Sequence, residues 1–290
     1  MKNKIYALML LSGIATHVCA TENGLDSFAL GAEGIAAGAL PPPGVYLLNY
    51  YQNYHASEFK DGPNNFHVDV NAFIPRLVWM TPQQIAGGQL GIYAAQPLVN
   101  LRLNAMGASD SNSGLGDLVI GTMLGWHKGN HHSIAALEGV LATGDYEDAN
   151  PQRPVIANLG KNYHTIRPVL IYSYLQPQGW EFSTKLSYSF NTENDDTNYQ
   201  SGDYFAGDYA IGYQLNDQVK LALEGYVFKQ TTNDEVNGAS IGNKGQALAF
   251  GPAIQYKQDN WSLEAKFLKE TEVEHRPEGH STTLKMVWAF

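Results

Sequence analysis

The sequence predicts an all-β protein, a transmembrane antiparallel up-and-down β-barrel of about 12 strands that follows a cleaved signal peptide. Three observations predict this class: an export-type N-terminus, period-2 alternation along the remaining chain, and connections that alternate between short and long. The composition agrees, because 44% of the 290 residues are apolar and only 16% are charged. No later stretch has about 18 consecutive apolar residues, so a helical membrane protein is not expected.

The first 20 residues resemble a secretory signal peptide. Lys2 and Lys4 supply a positive start, Ile5 to Ala15 form an apolar run, and small residues precede a predicted cut after Ala20. The alternative is a buried N-terminal strand or anchor. Cleavage would remove Cys19, the only cysteine, and would therefore exclude disulfides from the mature chain.

Residues 21–43 precede the barrel, which we expect to span residues 44–290. This segment is rich in Gly and Ala and ends in three prolines, Pro41 to Pro43. We expect a periplasmic leader packed under the barrel. The alternative is a short plug inside the lumen.

The strands are predicted from alternation of apolar and polar residues. The clearest example runs from Trp180 to Phe190, where the even positions are mostly apolar and the odd positions are all polar. Twelve such segments lie near residues 44–54, 65–75, 90–103, 115–127, 133–143, 164–175, 179–190, 203–214, 218–229, 246–256, 260–269 and 281–290. Their length suits tilted membrane strands.

The connections predict the orientation of the barrel. Short turns alternate with long polar loops at 144–163, 191–202, 230–245 and 270–280, as in outer-membrane barrels of Gram-negative bacteria. An even strand number then places both termini in the periplasm. Residues 76–89 depart from this rhythm and leave the local register open. Phe290 ends the last alternating segment, and we expect the barrel-assembly machinery to recognise it.

Charged residues within the predicted strands are the candidate lining of the lumen. A charge that faces lipid near the membrane centre costs about 2–4 kcal/mol, so these side chains should point inward. The candidates are Asp69, Arg102, Asp117, Glu138, Arg167, Glu181, Lys185, Asp208, Lys220, Glu224, Glu264, Lys266 and Lys285. Acidic and basic residues nearly balance. We expect either a narrow, partly filled lumen for a small neutral or weakly polar solute, or ion pairs that only fill the barrel.

Other motifs do not predict chemistry. Ser240 lies in a G-x-S-x-G match, but in a loop without the strand-turn-helix context of a nucleophile elbow. His127, His131 and His132 lack a nearby carboxylate or cysteine, so we expect surface histidines. We therefore expect no catalytic residues, cofactor or metal. The acidic loops are interpreted as solvated surface, or as sites for divalent cations shared with lipopolysaccharide. The net charge of −10 without a basic patch predicts no nucleic-acid partner.

Three stretches together resemble a known family. They are residues 32–50 with their Pro41-Pro42-Pro43-Gly44 run, residues 114–127, and Thr143 to Tyr146 followed by Asn158 to Tyr163. The chain resembles the bacterial family of meta-pathway phenol-degradation proteins over essentially its whole mature length. The resemblance implies an outer-membrane barrel encoded beside catabolic genes, a transporter of aromatic or hydrophobic substrates. It implies no functional residues.

The sequence is compatible with three candidate functions. The first is passive uptake of small aromatic or hydrophobic molecules, with Tyr51, Tyr204 and Tyr226 as stacking faces if they point inward, whereas parity places Tyr93 outward. The second is a structural or surface-binding barrel without transport. The third, an outer-membrane hydrolase, needs a nucleophile and base that the sequence does not show. The expected partners are outer-membrane lipid, lipopolysaccharide and a small-molecule solute.

Overall fold

A computed structural model describes residues 29–290, so the predicted signal peptide lies outside the described residues. These residues form eighteen strands. In chain order they are β1 Gly44–Phe59, β2 His67–Ile85, β3 Gly88–Ala95, β4 Leu98–Ala105, β5 Ala108–Leu115, β6 Leu118–Lys128, β7 His131–Leu141, β8 Thr165–Tyr174, β9 Gly179–Asn191, β10 Glu193–Asn194, β11 Tyr199–Gln200, β12 Tyr204–Gln214, β13 Val219–Gln230, β14 Asp234–Val236, β15 Ala239–Gly242, β16 Gln246–Gln258, β17 Trp261–Glu274 and β18 Pro277–Ala289.

The main sheet closes on itself as an antiparallel barrel, because β1 pairs with β18 on one side and with β2 on the other. Strands β3 and β4 form one long strand, interrupted at residues 96–97, and β5 and β6 form a second, interrupted at residues 116–117. Counted this way the barrel has the twelve strands that the alternation predicts. The short strands β10, β11, β14 and β15 form a separate small sheet.

The two ends of the barrel differ. One end, called the turn end here, carries Gly44, Ala289 and short turns. The opposite loop end carries the long connections at residues 142–164, 192–203 and 231–245, the last two holding the small sheet. Among residues 29–290 there is no helix that is long and apolar enough to cross a membrane.

Two regions differ from the predicted connections. Residues 76–89 are almost entirely strand, and β2 turns into β3 through Ala86 and Gly87, both with positive φ. The predicted loop at 270–280 is also mostly strand, because only His275 and Arg276 separate β17 from β18. The sequence predicts a loop at 270–280 because the polar residues there resemble loop composition, whereas it leaves the register of residues 76–89 open.

The barrel wall has an apolar outer face and a charged inner face. Leu170 and Trp180 lie on the outer face, each more than 60% exposed, in a band with other large apolar residues. Arg167 and Lys185, on the same strands with opposite parity, are buried inside. Alternation with this spacing is the pattern of a strand between lipid and lumen.

The pattern is inverted where β1, β2, β4 and β5 rise beyond the apolar band at the loop end. There the inner face is apolar and forms a cluster with the long loop at 142–164. Its buried members are Ala56, Phe59, Phe66, Val68, Leu101, Leu103, Ala105, Val155, Ala157 and Leu159. The outer face of the same strands carries Asn53, His55, Asn71 and Asn100.

Candidate functional site

The N-terminal segment at residues 29–43 lies inside the barrel. The backbone amides of Gly31 and Glu33 each donate to the Asp208 carboxylate at 3.1 Å. Those of Ile35 and Ala36 donate to Glu224 at 2.9 Å and to Glu181 at 2.6 Å. Carboxylates from three strands therefore hold the backbone of this segment. We call it the plug; it is not the leader beneath the barrel that the sequence suggested.

The side chain of Glu33 makes the opposite kind of contact. Here the plug supplies the carboxylate and the barrel wall supplies the cations. Its Oε2 lies 2.7 Å from Lys285 Nζ, and its Oε1 lies 2.7 Å from Arg76 Nη1. Tyr50 Oη donates to the same Oε1 at 2.9 Å. Burial alone would raise the pKa of Glu33, but Lys285 and Arg76 outweigh burial and hold the pKa well below 4.5. The wall therefore holds the plug in two ways. Wall carboxylates accept hydrogen bonds from the plug backbone, and wall cations pair with the Glu33 carboxylate of the plug.

A second charged group fills the lumen beside the plug. Arg167 Nη1 donates to Glu138 Oε2 at 3.1 Å, and Tyr93 Oη donates to Glu138 Oε1 at 2.7 Å. Lys185 Nζ lies 4.0 Å from the same carboxylate. These ionic side chains are all nearly inaccessible to solvent. Removing one member would leave a buried charge without its partner, which is strongly destabilising.

A third group joins the plug to the strands near the end of the chain. Lys266 Nζ lies 2.8 Å from Glu224 and 3.1 Å from Glu264. The same ammonium group donates to the carbonyls of Ala32 and Glu33 at 3.3 and 3.4 Å. Lys220 pairs with Glu181. Together these groups fill the lumen at the level of the plug.

Two cavities lie on either side of this filled level. The cavity towards the turn end has a volume of about 600 Å³ and is bounded by Glu33, Ala37 and Leu40 of the plug. The cavity towards the loop end is smaller, about 180 Å³, and is bounded by Leu30. The plug therefore lies between these two cavities.

The loop-end cavity combines aromatic and aliphatic walls with a few polar groups. Its apolar lining includes Tyr54, Ile74, Val99, Leu101, Leu159 and Tyr226. Polar atoms come from Asp117, Lys161, Glu270 and Arg276, and Glu270 accepts hydrogen bonds from Tyr54 and Tyr226. An apolar pocket with few convergent polar groups is the usual form of a small-molecule site.

The structure places eleven of the thirteen candidate lumen residues on the inner side of the barrel. They are Asp117, Glu138, Arg167, Glu181, Lys185, Asp208, Lys220, Glu224, Glu264, Lys266 and Lys285. Asp117 lies near the loop end, where its carboxylate accepts backbone amides of Thr143, Gly144 and Lys161. It therefore fixes the base of a long loop.

The prediction that Asp69 and Arg102 line the lumen is wrong, because both side chains face outward. Asp69 contacts His55 and His67 on the outer face, and Arg102 lies between Leu101 and Leu103, which point into the apolar cluster. Both belong to the strand halves that rise beyond the apolar band. The penalty for facing lipid does not apply there, so the rule that turned charges inward fails.

Sequence reasoning missed four inward-facing residues. Glu33 was assigned to a leader, Arg76 fell in the uncertain region, and Glu270 was assigned to a loop. Tyr93 was placed outward by parity, yet its hydroxyl binds Glu138 in the lumen. Extending the alternation of Ala72 and Ile74 by one step would have found Arg76.

The weaker motifs occupy exposed positions. Ser240 lies in β15 and accepts a hydrogen bond from Asn233 at 2.7 Å. His127 and His132 contact each other at a short turn, and His131 contacts Tyr172. Neither place adjoins the lumen groups described above.

The sequence comparison decides the family. Residues 52–286 match the model described as "Putative MetA-pathway of phenol degradation". The chain belongs to this phenol-degradation family. The resemblance drawn from the sequence motifs is thereby confirmed. A search of curated proteins finds no match.

Solved structures show that this phenol-degradation family member shares a fold with outer-membrane proteins. A crystal structure of an outer membrane channel from Pseudomonas putida F1 aligns with a TM-score of 0.77 at 18% identity, covering 88% of this chain and 98% of that one. The β domain of the Bordetella autotransporter BrkA aligns with a TM-score of 0.51 at 8% identity, covering 86% and 99%. At these identities the likeness establishes the barrel fold.

Proposed function

We propose that the protein is an outer-membrane channel for passive uptake of small aromatic or hydrophobic molecules, gated by the plug. The observation that carries this proposal is the pair of cavities on either side of residues 29–43. Within residues 29–290 the plug is joined covalently to the wall at Gly44, and its other contacts are hydrogen bonds, ion pairs and packing, which can break and re-form. A solute in the loop-end cavity would pass once the plug shifts.

The lining of the loop-end cavity supports the choice of solute. Tyr54 and Tyr226 offer aromatic faces, and Val99, Leu101 and Leu159 offer aliphatic ones. Such walls favour an aromatic ring over a sugar of equal size, because burying apolar surface contributes about 25 cal/mol per Å². Glu270 and Arg276 could orient one polar substituent.

The orientation follows from the connections. Long loops face the cell exterior and short turns face the periplasm in bacterial outer-membrane barrels. On this basis the small cavity is the entrance and the larger cavity the periplasmic exit. Phe290, 80% exposed at the end of the last strand, is available to the assembly machinery.

The alternative is a barrel that serves a structural or surface-binding role without transport. The observation that favours it is the number of buried charged side chains that occupy the lumen beside the plug.

The test is a liposome-swelling assay with the purified mature protein. Phenyl glucoside, an aromatic solute that crosses protein-free bilayers slowly, should enter faster than a disaccharide of similar size. Leu159→Asn should reduce that preference because it places an amide in the apolar wall. Asn112→Ser, on the hairpin outside the cavity lining, is the matched control. Equal rates with and without protein for every solute would favour the structural alternative.

A further inference from the structure

Three polar side chains converge on the outer face of the barrel at the loop end. His55 Nδ1 lies 2.7 Å from Asp69 Oδ1, and His67 Nε2 lies 2.8 Å from Asp69 Oδ2. All three ligand-type atoms lie within 4.8 Å of one another. One carboxylate therefore contacts two imidazole rings, one on each oxygen.

A third imidazole stands beside this group. His280 is paired with His55 across β1 and β18, and their ring centroids are 5.3 Å apart. His55 is also paired with Asp69 across β1 and β2. The backbone register alone thus places His280, His55 and Asp69 in one row, with His67 two residues from Asp69 on the same face.

The group lies beyond the apolar band and is open to solvent. The side chains of His55, His67 and Asp69 are each about one-third exposed. Asn53 and Asn71 separate them from the apolar residues Tyr51 and Phe73 along the same two strands. A dissolved ion can therefore reach the group without crossing lipid or the lumen.

The chemistry of these side chains suits a divalent transition metal. Imidazole nitrogen and carboxylate oxygen are the common non-thiolate ligands of Zn²⁺, at about 2.0–2.2 Å. Histidine ligands disfavour Ca²⁺ and Mg²⁺, which prefer oxygen. An ion between the rings would replace the protons that now bridge nitrogen and oxygen.

The second histidine group of the barrel provides a contrast. His127, His131 and His132 lie near one another at the turn end, but within residues 29–290 only the group at Asp69 combines three such ligands at this spacing. Each group has three histidines when His280 is counted with His55 and His67. The carboxylate is what distinguishes them.

We propose that His55, His67 and Asp69 form a site for a divalent transition-metal ion such as Zn²⁺, with His280 placed to complete the coordination. The site joins the first strand to the second, and through His280 to the last. Binding would therefore stabilise the pairing of the first strand with the last, where the barrel closes. It is independent of the plug and of any transported solute.

The test is isothermal titration of ZnCl₂ into the folded full-length mature protein, purified without a polyhistidine tag. One ion per chain is expected. His67→Asn and Asp69→Asn should each weaken binding roughly tenfold or more. His131→Asn, in the contrasting group, should leave affinity unchanged. Heat-dependent migration on gels checks that every variant is folded.

Two further measurements distinguish a specific metal site from adventitious binding. Co²⁺ in place of Zn²⁺ should give a visible absorption spectrum that the Asp69→Asn variant loses. Zn²⁺ should raise the unfolding temperature of the wild type and of His131→Asn, but not that of His67→Asn or Asp69→Asn. Equal Zn²⁺ affinity in wild type and both site variants would mean adventitious binding and would overturn the proposal. So would loss of binding in His131→Asn alone.

Discussion

Glu33 of the plug and Lys285 of the last strand form an ion pair of 2.7 Å inside the barrel. The two residues are 252 positions apart in the chain. Arg76 contacts the other oxygen of the same carboxylate, so two cations from different strands hold one plug residue. The pair links the start of the described chain to the strand that closes the barrel.

Neutralising Glu33 should loosen the plug. Glu33→Gln leaves Lys285 and Arg76 buried without their carboxylate, so open events in planar-bilayer recordings should become more frequent. Glu58→Gln is the matched control, because Glu58 is 60% exposed beside Lys60 and such surface pairs contribute about 0–1 kcal/mol. Identical open probability in wild type and Glu33→Gln would show that this ion pair does not hold the plug.

The buried Arg167 should be needed for barrel stability. Arg167→Met leaves Glu138 with a more distant cation, and we expect the free energy of unfolding to fall by about 3–5 kcal/mol. Urea unfolding of the refolded protein measures this change. Arg153→Met, which removes a loop arginine that is 51% exposed, should cost about 0–1 kcal/mol. Equal effects of the two substitutions would contradict the account.

The contribution of Glu33 should depend on pH in one direction. Its pKa in the folded protein is held well below 4.5 by Lys285 and Arg76 against the effect of burial. Stabilisation from a lowered pKa is present above the ordinary pKa and is lost as pH falls through the folded value. The difference in open probability between wild type and Glu33→Gln should stay constant from about pH 7 to pH 5 and shrink only in stronger acid. A difference that disappears by pH 5 would contradict the assigned contacts.

Gly34 should tolerate no side chain. A Cβ atom at this position would overlap the carboxylate of Glu224, which is already bound by Lys266 and by the amide of Ile35. Gly34→Ala should therefore displace the plug and raise the basal conductance. Gly139→Ala is the control, since its Cβ would meet only Ile120 at 3.7 Å. Unaltered conductance in Gly34→Ala would mean that the plug is not seated as described.

The faces of most strands could be predicted from the sequence because alternation reports which side meets lipid. Glu181 and Lys185 follow from Trp180, Phe182 and Leu186 by parity alone. The same rule fails for Asp69, because its half of β2 packs apolar residues against a loop and turns polar ones to water. Alternation identifies two faces, but only the neighbouring elements decide which face is inside.

The sequence offered the plug only as the alternative to a leader, because the contacts that would decide between them depend on residues far away in the chain. The segment around Gly34 is small and apolar, which fits a leader as well as a plug. Its backbone amides select the lumen only because Asp208, Glu224 and Glu181 present carboxylates there. The sequence around Gly34 gives no information about these distant carboxylates.

The most direct test of the plug as a gate is a reversible cross-link to the wall. Gly38 donates its amide to Ser173 Oγ at 2.8 Å, and a Cβ at Gly38 would lie 3.1 Å from that of Ser173. This is slightly closer than the roughly 3.5–4.5 Å of a disulfide, so Gly38→Cys with Ser173→Cys should form one after a small shift. The only native cysteine, Cys19, lies in the predicted signal peptide.

Bilayer conductance of this double variant should be measured before and after reduction, with each single variant as control. The account predicts that the oxidised protein stays closed, and that reduction restores the openings seen in the wild type. Conductance that is the same in the oxidised and reduced protein, with the disulfide verified by mass, would contradict the claim that solutes pass only when the plug moves.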